Sequence, residues 1–97
     1  MKWLEIIEIQ SVGNYQALVE LNLMNLLNEF KSNKKDQTIK VYSNVSVVTD
    51  FSIHISNESN KVSVQGSDLG TRLVSMLKAF GLVNYTIWID RFSNKVE

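Results

Sequence analysis

The sequence predicts an α+β domain: four strands in one antiparallel sheet, with two helices on one of its faces. Three observations predict it. The stretch "TDFSIHIS" alternates apolar and polar residues with a period of two, the signature of a strand with one buried face. Two other stretches, Tyr15 to Phe30 and Ser67 to Phe80, repeat their apolar residues at helical spacing. Strand-like and helix-like segments then follow one another in the order β-α-β-β-α-β.

The first strand covers residues 3–10, whose tryptophan, leucine and isoleucines suit a strand. Val12-Gly13-Asn14 breaks it, and Asn14 or Ser11 is placed to cap the next helix. That helix carries Tyr15, Leu18, Val19, Leu23, Leu26, Leu27 and Phe30 as a stripe, which Leu21 and Met24 widen. "KSNKKDQ" reads as a loop, with lysines suited to the negative end of a helix. Residues 38–43 form the second strand, with Ile39 and Val41 opposite Lys40 and Tyr42.

After a turn at Asn44, the pattern from Val45 to Ser56 predicts one long strand. Val45, Val47, Phe51, Ile53 and Ile55 share one face, and Asp50, Ser52, His54 and Ser56 the other. "NESNKVSVQG" fits a short helix or an extended loop. Ser67 caps the second helix, whose stripe is Leu69, Leu73, Met76, Leu77 and Phe80. Gly81 follows where a C-terminal capping glycine belongs. The fourth strand, "NYTIWIDRF", sets Tyr85, Ile87 and Ile89 against Thr86, Trp88 and Asp90, and the "SNKVE" tail is polar. With right-handed crossovers this order is the ferredoxin-like split βαβ arrangement.

Length and composition narrow the function classes. Ninety-seven residues suit one domain, 1–97. Ten acidic groups balance ten basic ones, so nothing draws the chain toward nucleic acid or anionic lipid. There is no cysteine and only one histidine, which leaves no metal-ligand set and predicts no metal or cofactor. "MKWLEIIEIQ" is interrupted by Glu5 and Glu8 and is not a secretory core, and no apolar stretch is long enough to span a bilayer. A cytoplasmic protein without membrane contact is the expectation. A monomer of this size has a thin core, and the face of His54, Asp50, Trp88 and Tyr42 is too aromatic to be left to water. A homodimer that covers it is therefore expected.

"TDFSIHISNES", a linking segment and "GSDLGTRLVSMLKAFGLVNYTIWI" resemble the dimeric α+β barrel proteins, and within them the small domains similar to antibiotic-biosynthesis monooxygenases. Those domains often carry a Trp-Glu-Ser-type stretch. Here Asn57-Glu58-Ser59 stands in its place, without the tryptophan. The chain is also similar to small proteins with a "TDLSIH"-like strand, a group that brings no activity with it. The resemblance implies a homodimer with facing sheets and a pocket between sheet and helices. It also implies, as one alternative, cofactor-independent oxidation of a flat aromatic substrate. The Asn, Trp and His set of the haem-degrading relatives, with its histidine on a helix, does not map onto a strand histidine.

The candidate ligand-pocket or interface residues are His54, Trp88, Trp3, Tyr42 and Asp50. An imidazole is a common general base. Asp50, however, lies about 13 Å from His54 along the strand. A partner would have to come from a neighbouring strand, for example Glu5 or Glu8. Without one, His54 reads as a structural or interfacial residue. Trp3 and Trp88 fall on neighbouring strands, where they would stack a flat aromatic ligand or pack in a core or interface. Gly66 and Gly70 in "GSDLGT" open a helix, where backbone N–H groups hold anions, but no phosphate-loop pattern accompanies them, and Gly70 reads as a packing glycine. Two readings stay open: a binding protein without catalysis, and a small oxygenase-like enzyme.

Overall fold

The computed structural model describes residues 1–30 and 36–92. Its elements run β1 (Lys2–Ser11), a 3-10 turn (Gly13–Tyr15), α1 (Gln16–Glu29), β2 (Gln37–Ser43), β3 (Asp50–Glu58), α2 (Asp68–Leu77) and β4 (Gly81–Ile89). The strands form one antiparallel sheet in the order β2-β3-β1-β4. This is the ferredoxin-like arrangement, with the two longest strand pairings both made by β1. The predicted lysine loop at 31–35 and the tail at 93–97 lie outside the described residues.

Alternation along the central strands decides which residues meet the helices. Ile7 and Ile9 of β1 and Phe51, Ile53 and Ile55 of β3 are buried against Val19 and Leu23 of α1 and Leu69, Leu73 and Leu77 of α2. Both helices therefore cover the face of Phe51, Ile53 and Ile55, and His54 points to the opposite side. We call these two sides the helix face and the open face.

Several boundaries depart from the sequence pattern. Val45 and Val47 belong to a turn, not to β3, and Val45 is fully exposed. The cause is Asn44, whose side-chain oxygen accepts the backbone N–H groups of Ser46 and Val47 at 2.8 and 3.0 Å. An Asn that binds its own downstream backbone outcompetes the ladder. Neither Asn14 nor Ser11 caps α1; Tyr15 stands at its N-cap without a side-chain bond, and the 3-10 turn leads in instead. Leu18 of the predicted stripe is half exposed. The segment between β3 and α2 is irregular, and Ser67 caps α2 as its sequence predicts, accepting the Gly70 N–H at 3.0 Å. Gly81 is not a left-handed capping residue; it opens β4. A side chain there would collide with the Gln10 carbonyl, so glycine lets β4 pass close to the end of β1.

Candidate functional site

The open face is built from alternate residues of all four strands. β1 contributes Leu4, Ile6 and Glu8, β2 contributes Lys40 and Tyr42, β3 contributes Asp50, Ser52 and His54, and β4 contributes Leu82, Asn84, Thr86 and Trp88. None of the chain's own helices covers it. Leu82 is 72% exposed, Trp88 56% and Tyr42 47%. Such large apolar groups around half-buried Leu4 and Ile6 are the composition of a contact surface.

Two grooves indent this face. One, of about 530 Å³, lies at the end where Lys2, Leu4, Thr38, Ser56, Trp88 and Asp90 meet. The Trp88 indole is oriented by a hydrogen bond from Nε1 to Thr86 Oγ1 at 2.9 Å. The other, of about 360 Å³, lies at the opposite end, lined by Glu8, Gln10, Tyr42, Asp50, Ser52 and Leu82 among others. Tyr42 and Asp50 are thus brought together at one groove, and Trp88 stands at the other.

His54 lies between them and assembles no catalytic set. Its Nε2 is 3.0 Å from Ser52 Oγ, and its ring centre is 4.7 Å from that of Tyr42. Lys40 faces it across β2, and Ile6 across β1. Glu5 cannot serve as its partner, because Glu5 pairs with Ile55 and points to the helix face. Glu8 shares the open face but stands opposite Ser52. Among the described residues, no group of three His, Asp or Glu side chains is placed to hold a metal ion.

Trp3 does not join Trp88. The register sets Trp3 opposite Ile89 and Leu4 opposite Trp88, so the two indoles lie on opposite sides of the sheet. Trp3 is only 6% exposed, and its Nε1 donates to Ser59 Oγ at 2.9 Å. It contributes to the lining of the larger groove but is held as core.

The space beneath α2 is occupied by a polar cluster centred on Glu5, which is fully buried. Its Oε1 accepts the Ser67 backbone N–H at 2.8 Å and the Tyr85 hydroxyl. Its Oε2 accepts the Ser67 hydroxyl at 2.7 Å and the Asn57 amide at 2.9 Å. Asn57 in turn accepts from Gln37 at 2.7 Å. Glu5 therefore sits at the N-terminus of α2, where the helix dipole favours a carboxylate. Burial, then the hydrogen bond and charge of Glu5, raise the Tyr85 phenol well above its ordinary titration range. Such a phenol is a poor source of phenolate, and both oxygens of the carboxylate are already occupied by four donors. The cluster ties α2 to the sheet.

Sequence reading passed over this cluster, yet β1 holds its signal. Trp3, Glu5, Ile7 and Ile9 share one parity, so a period of two assigns Glu5 to the buried face. A carboxylate there needs converging donors. Gly66 and Gly70 make room for it. A Cβ on Gly66 would collide with the Tyr85 hydroxyl, and one on Gly70 with Glu5 Oε1. Gly70 is thus the packing glycine its position suggests, and the neighbouring helix start receives a side-chain carboxylate.

The fold and site define a small ferredoxin-like α+β protein with one uncovered sheet face. Its fold is shared with the solved structure of Rv0793 from Mycobacterium tuberculosis, which aligns with a TM-score of 0.74 at 8% sequence identity over 98% of this chain and 100% of the other. At that identity the likeness is one of fold. No family model and no curated protein matches the sequence. Among the described residues, no helix is long and apolar enough to cross a membrane.

Proposed function

We propose that the protein is a homodimeric binding protein of the cytoplasm, in which two open faces meet and a small, flat, apolar ligand lies against Trp88. One observation carries this reading: Leu82, Trp88 and Tyr42 stand exposed on a face that the chain's own helices cannot reach. Burying them against a second copy removes apolar surface from water at roughly 25 cal/mol per Å². The grooves at the two ends of the face leave room for a ligand between the sheets, and the Trp88 ring is held in one orientation to receive it.

The alternative, a cofactor-independent oxygenase-like enzyme acting on a flat aromatic substrate, needs a reactive group inside an enclosed apolar site. His54 faces away from the helices, and the Glu5 cluster fills the space under α2. Binding without catalysis is the reading these positions favour.

Sedimentation and amide NMR test it together. Leu82→Lys, at one end of the proposed contact, is expected to lower the particle mass; a mass equal to that of the wild type removes the face-to-face dimer. Titration with 1-naphthol is expected to shift the indole N–H signal of Trp88 and leave that of Trp3 in place. A shift of neither signal, or of Trp3 alone, removes the ligand site. Oxidation of 1-naphthol without added cofactor would move the assignment to the enzyme.

A further inference from the structure

We infer that the outer edge of β4 is a second self-association surface, at which two copies of the chain pair β4 with β4 antiparallel about a two-fold axis. The pairing would join two four-stranded sheets into one. It involves a different surface from the open face and does not rest on the face-to-face dimer.

β4 ends the strand order. One of its edges is bonded to β1, and among the described residues no backbone hydrogen bond reaches the other. Exposed edges are ordinarily protected by charge, proline, a bulge or a covering segment, because they recruit other strands. Among the described residues, β4 has none of these protections. Its nine residues, "GLVNYTIWI", contain no charge and no proline. Its register with β1 runs unbroken from Trp3–Ile89 to Ser11–Gly81. Every other strand carries charge: Lys2, Glu5 and Glu8 in β1, Lys40 in β2, Asp50 and Glu58 in β3.

A groove of about 670 Å³ runs beside this edge on the helix face. Tyr85, Ile87 and Ile89 form one wall, and Val62, Val64 and Gln65 form the other. Val64 is 88% exposed and Ile89 51%. A strand added along β4 would drop alternate side chains into this groove and set the others beside Trp88. The groove therefore fits a strand whose alternate residues are uncharged and apolar.

A second β4 meets that requirement. About a two-fold axis through its middle a strand pairs with itself, so a charge at its centre lies beside its own copy. β4 brings none, whereas β2 would set Lys40 near Lys40. A formal net charge of zero adds no long-range repulsion between copies. A charged peptide, by contrast, would lay its charge against Val62, Val64 and Ile87.

Sedimentation of the wild type, Ile87→Lys and Leu82→Lys at micromolar concentration tests the pairing. Ile87 lies on the groove side of β4 and Leu82 on the open face, so each variant addresses one contact. Ile87→Lys is expected to halve the wild-type mass; an unchanged mass overturns the edge pairing. Leu82→Lys with an unchanged mass instead overturns the face-to-face contact and leaves the edge untouched. Amide exchange on the wild type decides the matter even if Ile87→Lys does not fold. The outward N–H groups of β4 are expected to exchange more slowly as protein concentration rises. Exchange at an unprotected rate at every concentration overturns the inference.

Discussion

Glu5 and Glu8 stand three residues apart on β1 and project to opposite sides of the sheet. Glu5 is fully buried and receives donors from β3, from β4 and from the cap of α2. Glu8 is exposed beside the smaller groove of the open face. The two tryptophans repeat the contrast, with Trp3 held in the core and Trp88 exposed. Along β1 and β3 the helix face is finished within one chain: Ile7, Ile9, Phe51, Ile53 and Ile55 are packed, and the buried Glu5 carboxylate has its bonds. The open face leaves Leu82, Trp88 and Tyr42 exposed. A single strand, through its period of two, thus supplies one side that specifies the fold and another that is available for association.

The contrast can be tested by mutation, and the largest effect should come from Glu5. Glu5→Ala removes an acceptor from four donors under α2, and unfolding in urea should show a loss of roughly 3 kcal/mol or more. Glu8→Ala should change stability by less than about 0.5 kcal/mol. Equal losses would abolish the distinction between the faces. Next comes Gly66, which holds a φ of +87° against the Tyr85 hydroxyl. Gly66→Ala should cost about 2 kcal/mol, from backbone strain plus displacement of Tyr85. Gly13→Ala, at a φ of +57° with nothing near its Cβ, should lose only the backbone part, about 1 kcal/mol.

Tyr85 gives a smaller effect that depends on pH. Its phenol is raised in the folded chain by burial and by Glu5, while an unfolded tyrosine ionises near pH 10. The stability it contributes is therefore complete below about pH 10 and declines as pH rises beyond that value. Tyr85→Phe should flatten this alkaline decline in a series of urea titrations; an unaltered slope would detach Tyr85 from Glu5. The smallest effect is spectroscopic. Acrylamide should quench Trp88 and spare Trp3, and quenching should weaken as protein concentration rises if the open faces meet. Trp88→Phe should remove the quenchable component and Trp3→Phe should keep it.

Much of this architecture was legible in the residues. The alternation from Asp50 to Ser56 set His54 opposite Ile53 and Ile55, and the stripe from Leu69 to Leu77 set α2 against the sheet. Ser67 was legible as a cap because its hydroxyl serves a backbone group three residues on. The same local rule misled at Val45 and Val47, where the alternation continues but the Asn44 side chain turns the chain first. Periodicity records which residues could share a face and does not register a side chain that competes for the backbone.

For the candidate site, the sequence by itself determined the face of each strand residue relative to its neighbours in the same strand. That follows from the pleat, a property of one chain segment. His54, Asp50, Tyr42 and Trp88 were each assigned a side in this way. Only the tertiary structure decided which residues of different strands lie opposite one another. It set Lys40 and Ile6 beside His54, and gathered Asn57, Ser67 and Tyr85 around Glu5. The physical reason is that register is fixed by the packing of whole strands and helices. A shift of one residue would exchange the two faces of β1 and bury Glu8 in place of Glu5.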